Sequence, residues 1–541
     1  MSVGHTNNSS LLRGTGIVGA FTLLSRLIGF VRDLLVARLF GSGLFADAFY
    51  VAFRIPNLLR SVVAEGAFTS AFVPIFSGEL AKGKTQARLA FQEISGLLII
   101  ATTLLTILGV LFAEPIVTLF APGFESIPGK TELSITLTRI MMPYIIFVSF
   151  VALLGGVLNS MKIFGTAAFA QVVMNMVLVG GALIAALYAP ELGVRILAYS
   201  VLAGGIAQVL VQVPPLIRVD LLVRPALRFF TPITKELLKL MLPALLGSAI
   251  YQVTTFLNTL LASLLDPGSV SWLYYADRLI QLPIGIFSIA LATVLLPLLS
   301  GASARGEHAD FSATLGNSLR YTSFVIMPIA VFIFAFAPEL IAILFQRGAF
   351  SPHDTEMASA AVQAMSIGLW FTSCHSMLVR SLMAKKDTLS PSLIGLGALL
   401  VNIPVALFFM GPPAHQEGFG GTLLTLQHTL GFDQFGANFH HIGLGLASSL
   451  SSAFAFSAAI LLVVSRKGLD LDRFVASSWR SLLGALPIVW IPNLLVNIGH
   501  PLTRAILALP LAAITYLAIT LVFKSQETQE TLALIRRTIR R

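Results

Sequence analysis

Fourteen apolar stretches run through this sequence, near residues 14–40, 47–77, 89–120, 134–158, 163–189, 193–217, 236–265, 271–300, 318–345, 357–384, 388–411, 441–465, 478–498 and 502–523. Each is long enough to cross a bilayer, which takes about 20 apolar residues in helical form. Backbone N–H and C=O groups inside lipid must be satisfied by helices or a closed barrel, and continuous apolar runs of this length, about twice that of a barrel strand, read as helices. Of the 541 residues, 56% are hydrophobic and 11% charged, against roughly 25% charged in soluble domains. A soluble enzyme, a nucleic-acid-binding protein and a disordered scaffold are excluded. The expected fold class is an all-α polytopic membrane protein of about 14 transmembrane helices.

The net charge is +10. In a soluble chain that would suggest a nucleic-acid partner; in a membrane chain it reflects basic cytoplasmic loops. With the N-terminus inside, the inner segments hold 24 of the 35 Lys and Arg and the outer segments 5. The asymmetry places both termini in the cytoplasm. The single cysteine, Cys374, excludes an intramolecular disulfide and reads as a packing residue. Met1 to Ser10 is polar without a basic run, so the first apolar stretch reads as retained, not as a cleaved signal. The tail 524–541 is basic and weakly amphipathic. It suits a helix lying on the inner membrane surface, or a solvated end.

The first half resembles the second at an offset near 224. Ala67, Pro74, Ser77, Gly78, Ala81 and Gly83 recur as Ala290, Pro297, Ser300, Gly301, Ala304 and Gly306. Phe112-Ala113 recurs as Phe336-Ala337, Gly123 as Gly348, and Lys162 as Lys386. Six spans separate equivalent stretches, so the halves share one orientation, a parallel repeat. The expected organisation is an N-terminal lobe at 1–218, a C-terminal lobe at 219–465, a two-helix appendage at 466–523 and the basic tail at 524–541. Transporters bind substrate near the midplane at such repeat interfaces.

Charges inside the stretches narrow the function. Arg26, Arg32, Arg38, Arg54, Arg60 and Arg278 lie there, with Asp33, Asp47, Glu65 and Asp277. A charge at the bilayer centre costs about 2.5–3.5 kcal/mol even on lenient scales. These groups must face water, a partner or an ion. At about 1.5 Å per residue, Arg26 lies roughly 18 Å into the first stretch and Arg32 roughly 27 Å. Arg38 reaches the outer interface, where it can snorkel. Simple pairing explains part of the pattern: Asp33 with Arg26 or Arg32, Asp47 with Arg54, Asp277 with Arg278. An excess of positive charge remains, and all of it is arginine, whose fork matches phosphate oxygens. An anion site follows, with diphosphate as the anion to test.

Other signals carry less. Gly14 to Gly19 matches GxGxxG, but no strand precedes it and no dinucleotide cofactor is expected. His415, His428, His440 and His441 lack tight metal-ligand spacing. Asn258 and Asn402 suit interhelical hydrogen bonds better than an ion site.

The run Ser25-Arg-Leu-Ile-Gly-Phe-Val-Arg-Asp33, the run Asp47 to Arg60, Ala64-Glu-Gly-Ala-Phe68, Val73-Pro-Ile-Phe76 and Tyr275-Ala-Asp-Arg-Leu279 resemble the MurJ (MviN) family. That family is similar in fold to the multidrug/oligosaccharidyl-lipid/polysaccharide exporters. The resemblance implies two six-helix lobes around a cavity, with two extra helices forming a hydrophobic groove. It implies transport of lipid II, the undecaprenyl-diphosphate-linked peptidoglycan precursor, across the bacterial inner membrane. It makes Arg26, Arg32, Arg60 and Arg278 cavity arginines, Asp47 a functional acid at the outer end, and Asp33, Glu65 and Asp277 supporting positions. Gln281 stands where some relatives carry an acid. The implied partners are lipid II, membrane phospholipids and cell-wall synthesis proteins, for a monomer that needs no cofactor and is not an enzyme. Membrane potential or an ion gradient could reset the cycle, and the sequence does not choose.

Three other classes compete: another exporter of the same architecture, a membrane enzyme and a scaffold. An exporter of another polyprenyl-diphosphate-linked glycan would share the arginines. A multidrug exporter favours acidic or aromatic cavity residues, and a membrane enzyme acting on polyprenyl phosphates needs acids or metal ligands grouped at one face. A structural scaffold would tolerate loss of Arg26 or Arg278.

Overall fold

The computed structural model describes residues 4–60, 68–226, 228, 231–432, 436–466 and 468–539. Every regular element among them is helical. In chain order these are α1 Gly4–Phe40, α2 Leu44–Arg60, α3 Phe68–Lys82, α4 Lys84–Leu111, α5 Ala113–Phe120, α6 Lys130–Met141, α7 Tyr144–Ser160, α8 Phe164–Ala185, α9 Pro190–Arg218, α10 Pro232–Ser263 and α11 Ser269–Pro283. There follow α12 Ile289–Arg305, α13 His308–Ala335, α14 Ala337–Phe345, α15 Pro352–Ala384, α16 Leu389–Phe409, α17 Gly418–Thr429, α18 His440–Ser465, α19 Leu471–Ala485, α20 Ile491–Leu494, α21 Pro501–Val522 and α22 Gln526–Ile539.

Ten helical segments among the described residues are long and apolar enough to cross a membrane. The protein is a multi-pass membrane protein. The expected count was fourteen, and the difference has an identifiable origin. Stretches 14–40 and 357–384 fall within α1 and α15, stretch 236–265 overruns α10 by two residues, and the described residues of stretch 47–77 are divided between α2 and α3. None of these helices is among the ten. Arg26, Arg32, Asp33 and Arg38 alone put four charges into the second half of α1.

The chain divides into two compact units, Met1–Ser271 with Arg347–Phe350, and Trp272–Gln346 with Ser351–Arg541. In the first unit α1 packs along α8, and α8 along α9. Its core joins α3, α4 and α7 around Phe68, Phe72 and Phe76, whose rings stack at 5.3 and 5.4 Å. The segment after α9 crosses the backbone of α4, with Ala226 N–H donating to Gln92 O at 2.9 Å. Gly96 permits this, since a Cβ there would lie 1.7 Å from Ala226 O.

In the second unit α15 packs on α18 and α13. The appended helices α19 to α21 rest on α13 through Phe324, Ala485, Ile488, Ala512 and Tyr516. The Tyr516 hydroxyl donates to Phe324 O at 2.7 Å. The basic tail forms α22, and its first turn is docked rather than free. The buried Glu527 carboxylate accepts from Arg320 Nε at 2.7 Å and from Ser477 Oγ at 2.8 Å.

The repeat is visible as local geometry. Phe112 breaks α4 from α5 at φ −96°, ψ 23°, and Phe336 breaks α13 from α14 at φ −105°, ψ 16°. Lys162 and Lys386 both end a helix at φ 62°. Gly123 and Gly348 each lie against the last turn of a helix in the first unit. A Cβ on Gly123 would meet Ser263 O of α10 at 2.0 Å, and one on Gly348 would meet Arg38 O of α1 at 2.4 Å.

Candidate functional site

The charged residues of α1 fall into two groups. Arg32 is held at three points. Its Nε and Nη2 donate to Asp33 Oδ1 at 2.9 and 2.7 Å, and its Nη1 donates to Asn175 Oδ1 at 3.1 Å. Asn175, on α8, in turn donates to Ser25 O and Ser25 Oγ at 3.0 and 3.1 Å. Gly29 lets it approach, because a Cβ there would already stand 3.2 Å from the Asn175 amide. Asp33 is 2% exposed. Of the two partners the sequence allowed Asp33, the structure pairs it with Arg32.

Arg26 is different. It lies in the same helix, is exposed, and makes no hydrogen bond or ion pair among the described residues. No acid among the described residues pairs with it. In an apolar chain, a guanidinium left in this condition is a ready anion contact. Arg38 is also exposed. Its carbonyl accepts from Ala349 N–H at 2.9 Å.

Asp47 opens α2 and is 1% exposed. Its Oδ2 accepts from Lys130 Nζ and from Gly268 N–H, both at 2.8 Å. Its Oδ1 accepts from Ser271 N–H at 2.9 Å and from Ser271 Oγ at 2.5 Å. Gly268 and Ser271 begin α11, so the carboxylate caps the positive end of that helix. Lys130 is itself 1% exposed and lies 4.1 Å from the Phe124 ring centroid. The expected pairing of Asp47 with Arg54 is therefore corrected. Lys130, 83 residues away, is the partner, and Arg54 Nη1 donates to Thr259 Oγ1. A carboxylate has about four lone-pair sites, and four donors occupy those of Asp47.

Arg60, in the last turn of α2, donates from Nε to Asn57 Oδ1 at 3.1 Å. Glu65 lies outside the described residues. In the second unit, Arg278 Nη2 donates to the Tyr274 hydroxyl at 2.8 Å, with the guanidinium carbon 4.6 Å from that ring centroid. Asp277 accepts from Gln281 Nε2, so the glutamine partners the acid beside it. Below them Pro283 ends α11, and a π-helical turn, Ile284–Ser288, leads into α12. A proline lacks the N–H that an α-helix needs, and π turns absorb such interruptions.

Sequence reasoning missed Lys130, Asn175, Thr259 and Tyr274. Tyr274 was within reach, because four residues separate it from Arg278 and i,i+4 pairs meet on a helix. The other three act over separations of 83, 143 and 205 residues, which no local pattern encodes. Among the described residues no group of three or more His, Cys, Asp or Glu could hold a metal ion.

Comparison with known proteins gives concordant results. A family model described as "Lipid II flippase MurJ" matches residues 36–501. The chain is 38% identical over 414 residues to "Probable lipid II flippase MurJ" of Vibrio cholerae, covering 75% of this chain and 78% of the relative. It is 39% identical over 400 residues to "Lipid II flippase MurJ" of Burkholderia cenocepacia, covering 73% and 77%. Among solved structures, "Lipid II flippase MurJ, inward closed conformation" superposes with a TM-score of 0.76 at 24% identity, covering 95% of this chain and 99% of that one. An inward-facing multidrug resistance MATE family transporter of the MOP superfamily gives 0.64 at 17% identity, covering 83% and 98%.

Proposed function

The chain belongs to the lipid II flippase MurJ family, and from that premise we propose that it carries lipid II from the inner to the outer face of a bacterial cytoplasmic membrane. The observation that carries the mechanism is Arg26, exposed and without a partner among the described residues of an apolar chain. A diphosphate is rejected by lipid, and an arginine fork replaces its water with charge-assisted hydrogen bonds. The polyprenyl tail stays in the bilayer while the headgroup crosses by alternating access.

In this reading Arg26 makes the first contact with the diphosphate, and Arg32, Arg54, Arg60 and Arg278 add to it during the cycle. Asp33 and Asp277 orient their neighbours, and Glu65 supports them. Asp47 contributes by fixing Lys130 and the start of α11. The lobes are 1–218 and 219–465, and 466–523 is an appendage whose groove takes the lipid tail. Both termini lie in the cytoplasm. The chain works as a monomer among membrane phospholipids, alongside cell-wall synthesis proteins. It moves its substrate without covalent chemistry or a cofactor, and a membrane potential or ion gradient resets it. The MATE-like fold by itself does not favour drug export, because an unneutralised arginine repels a cationic drug.

The test is the exposure of lipid II on the outer face of cells depleted of this protein and lacking any other flippase. An added enzyme that cleaves only exposed lipid II gives the readout. Exposure falls on depletion and returns with the wild-type chain. Unchanged exposure would overturn the proposal.

A further inference from the structure

The segment between α16 and α18 is the longest connection on the expected outer side, and its described residues are tied to the end of α16. The last carbonyls of a helix have no intrahelical partner. Here the segment supplies them. Gln427 Nε2 donates to Leu407 O and Gly411 O, both at 2.9 Å. Ala437 N–H donates to Phe408 O at 3.0 Å, and Phe439 N–H to Phe409 O at 2.9 Å. The buried Gln427 therefore pins α17 to the final turn of the apolar span α16. One helical turn rises about 5.4 Å, so α17 is held at the depth where α16 leaves the bilayer.

The faces of α17 fit that depth. Gly420, Leu423 and Gln427 are buried against the protein. At 100° per residue, Phe419, Leu426 and Leu430 form a second stripe beside them. These three are 48%, 44% and 49% exposed. Thr422, Thr425, His428 and Thr429 lie on the remaining side, and all are exposed. No Lys, Arg, Asp or Glu occurs from Gly418 to Gly431. Phe439, stacked on Phe409 at 5.9 Å and 44% exposed, extends the apolar surface back to the span.

We infer that α17 is an interfacial helix whose Phe419, Leu426 and Leu430 face enters the bilayer leaflet at that end of α16. The occupant is lipid at the boundary of headgroups and acyl chains. Continuity with the span and the absence of charge both select it over an aqueous or electrostatic partner. Attachment therefore does not need anionic lipid, unlike a basic amphipathic helix. The inference does not rest on the flippase reading.

Cys374 is 0% exposed, so a cysteine added on α17 can be spin-labelled alone in the full-length protein. The variants are Leu426→Cys, Leu430→Cys and Thr425→Cys, in vesicles of phosphatidylethanolamine with phosphatidylglycerol and of phosphatidylcholine alone. Labels at 426 and 430 are expected to collide more with oxygen than with a water-soluble nickel chelate, with the reverse at 425, in both lipids. A preference for the nickel chelate at 426 and 430 would mean a solvated face and overturn the inference. Low access to both reagents would mean a covering protein surface and overturn it as well. Two labelled positions on the lipid face guard against misfolding of either variant.

Discussion

Asp47 and Arg26 stand on consecutive helices of one unit, and their surroundings are opposite. Asp47 is 1% exposed, with every lone-pair site taken and a lysine, also 1% exposed, as counter-ion. Arg26 is exposed and carries no hydrogen bond or ion pair among the described residues. Breaking a buried pair leaves an uncompensated charge, so such a pair is rigid and costly to disturb. A partnerless exposed guanidinium contributes little to stability and keeps its five donors for a ligand. The contrast separates charges engaged in holding the fold from one that makes no such contact among the described residues. Arg32 falls between them: held by Asp33 and Asn175, it is half structural.

The comparison can be broken at several points. The largest effect is expected for Asp47→Ala, which strands Lys130 and uncaps α11. It should lower stability by about 3–5 kcal/mol, read as a fall in unfolding midpoint in detergent. A double variant, Asp47→Ala with Lys130→Met, should recover much of that loss. If Asp47→Ala unfolds like wild type, the node is not structural. Next come the corner glycines. Gly348→Ala places a Cβ 2.4 Å from Arg38 O at φ +62°, and Gly123→Ala places one 2.0 Å from Ser263 O. Each should cost about 1–3 kcal/mol by the same unfolding assay. A smaller loss is expected for Asn175→Ala, about 1–2 kcal/mol, since it removes hydrogen bonds to Arg32 and Ser25.

The smallest effect concerns a surface cluster away from the spans. The Ser390 hydroxyl and amide, followed by Arg466, hold the Asp387 carboxyl down at about 2. A carboxylate with a lowered pKa stabilises the fold above its ordinary value, and the gain is lost as pH falls through the lowered one. Solvent reaches and screens this half-buried cluster, so Asp387→Asn should cost only a few tenths of a kcal/mol near neutrality. The difference from wild type should shrink from pH 4 towards pH 2 and stay flat from pH 5 to 8. A deficit that persists unchanged at low pH would point to a cause other than charge.

Much of the fold was legible because lipid imposes length and apolarity on each crossing. Ten helices express that rule plainly. The α1 stretch was legible as a helix, and it is not one of these ten, with Arg26, Arg32, Asp33 and Arg38 in its second half. The repeat was legible because corners demand particular residues: Gly123 and Gly348 at close approaches, Lys162 and Lys386 at helix ends. The family resemblance rested on five runs between Ser25 and Leu279, and the family match over residues 36–501, which takes in all but the first of them, bears the family out. Partners were less legible. Lys130 looked like an outer-loop charge, yet folding buries it beneath Asp47. Asn175 is an ordinary polar residue in an apolar stretch until α8 lies along α1. Such contacts depend on which helices neighbour one another, and hydropathy does not carry that information.

The central claim is that an arginine with no partner among the described residues serves the substrate and not the fold. The most direct measurement is lipid II translocation in vesicles reconstituted with wild type or Arg26→Ala, beside the unfolding midpoint of each. Lost charge-assisted contacts worth about 1.5–3 kcal/mol predict a translocation rate reduced roughly tenfold or more, with an unchanged midpoint. Wild-type translocation by Arg26→Ala, or a rate loss matched by a lower midpoint, would contradict the account.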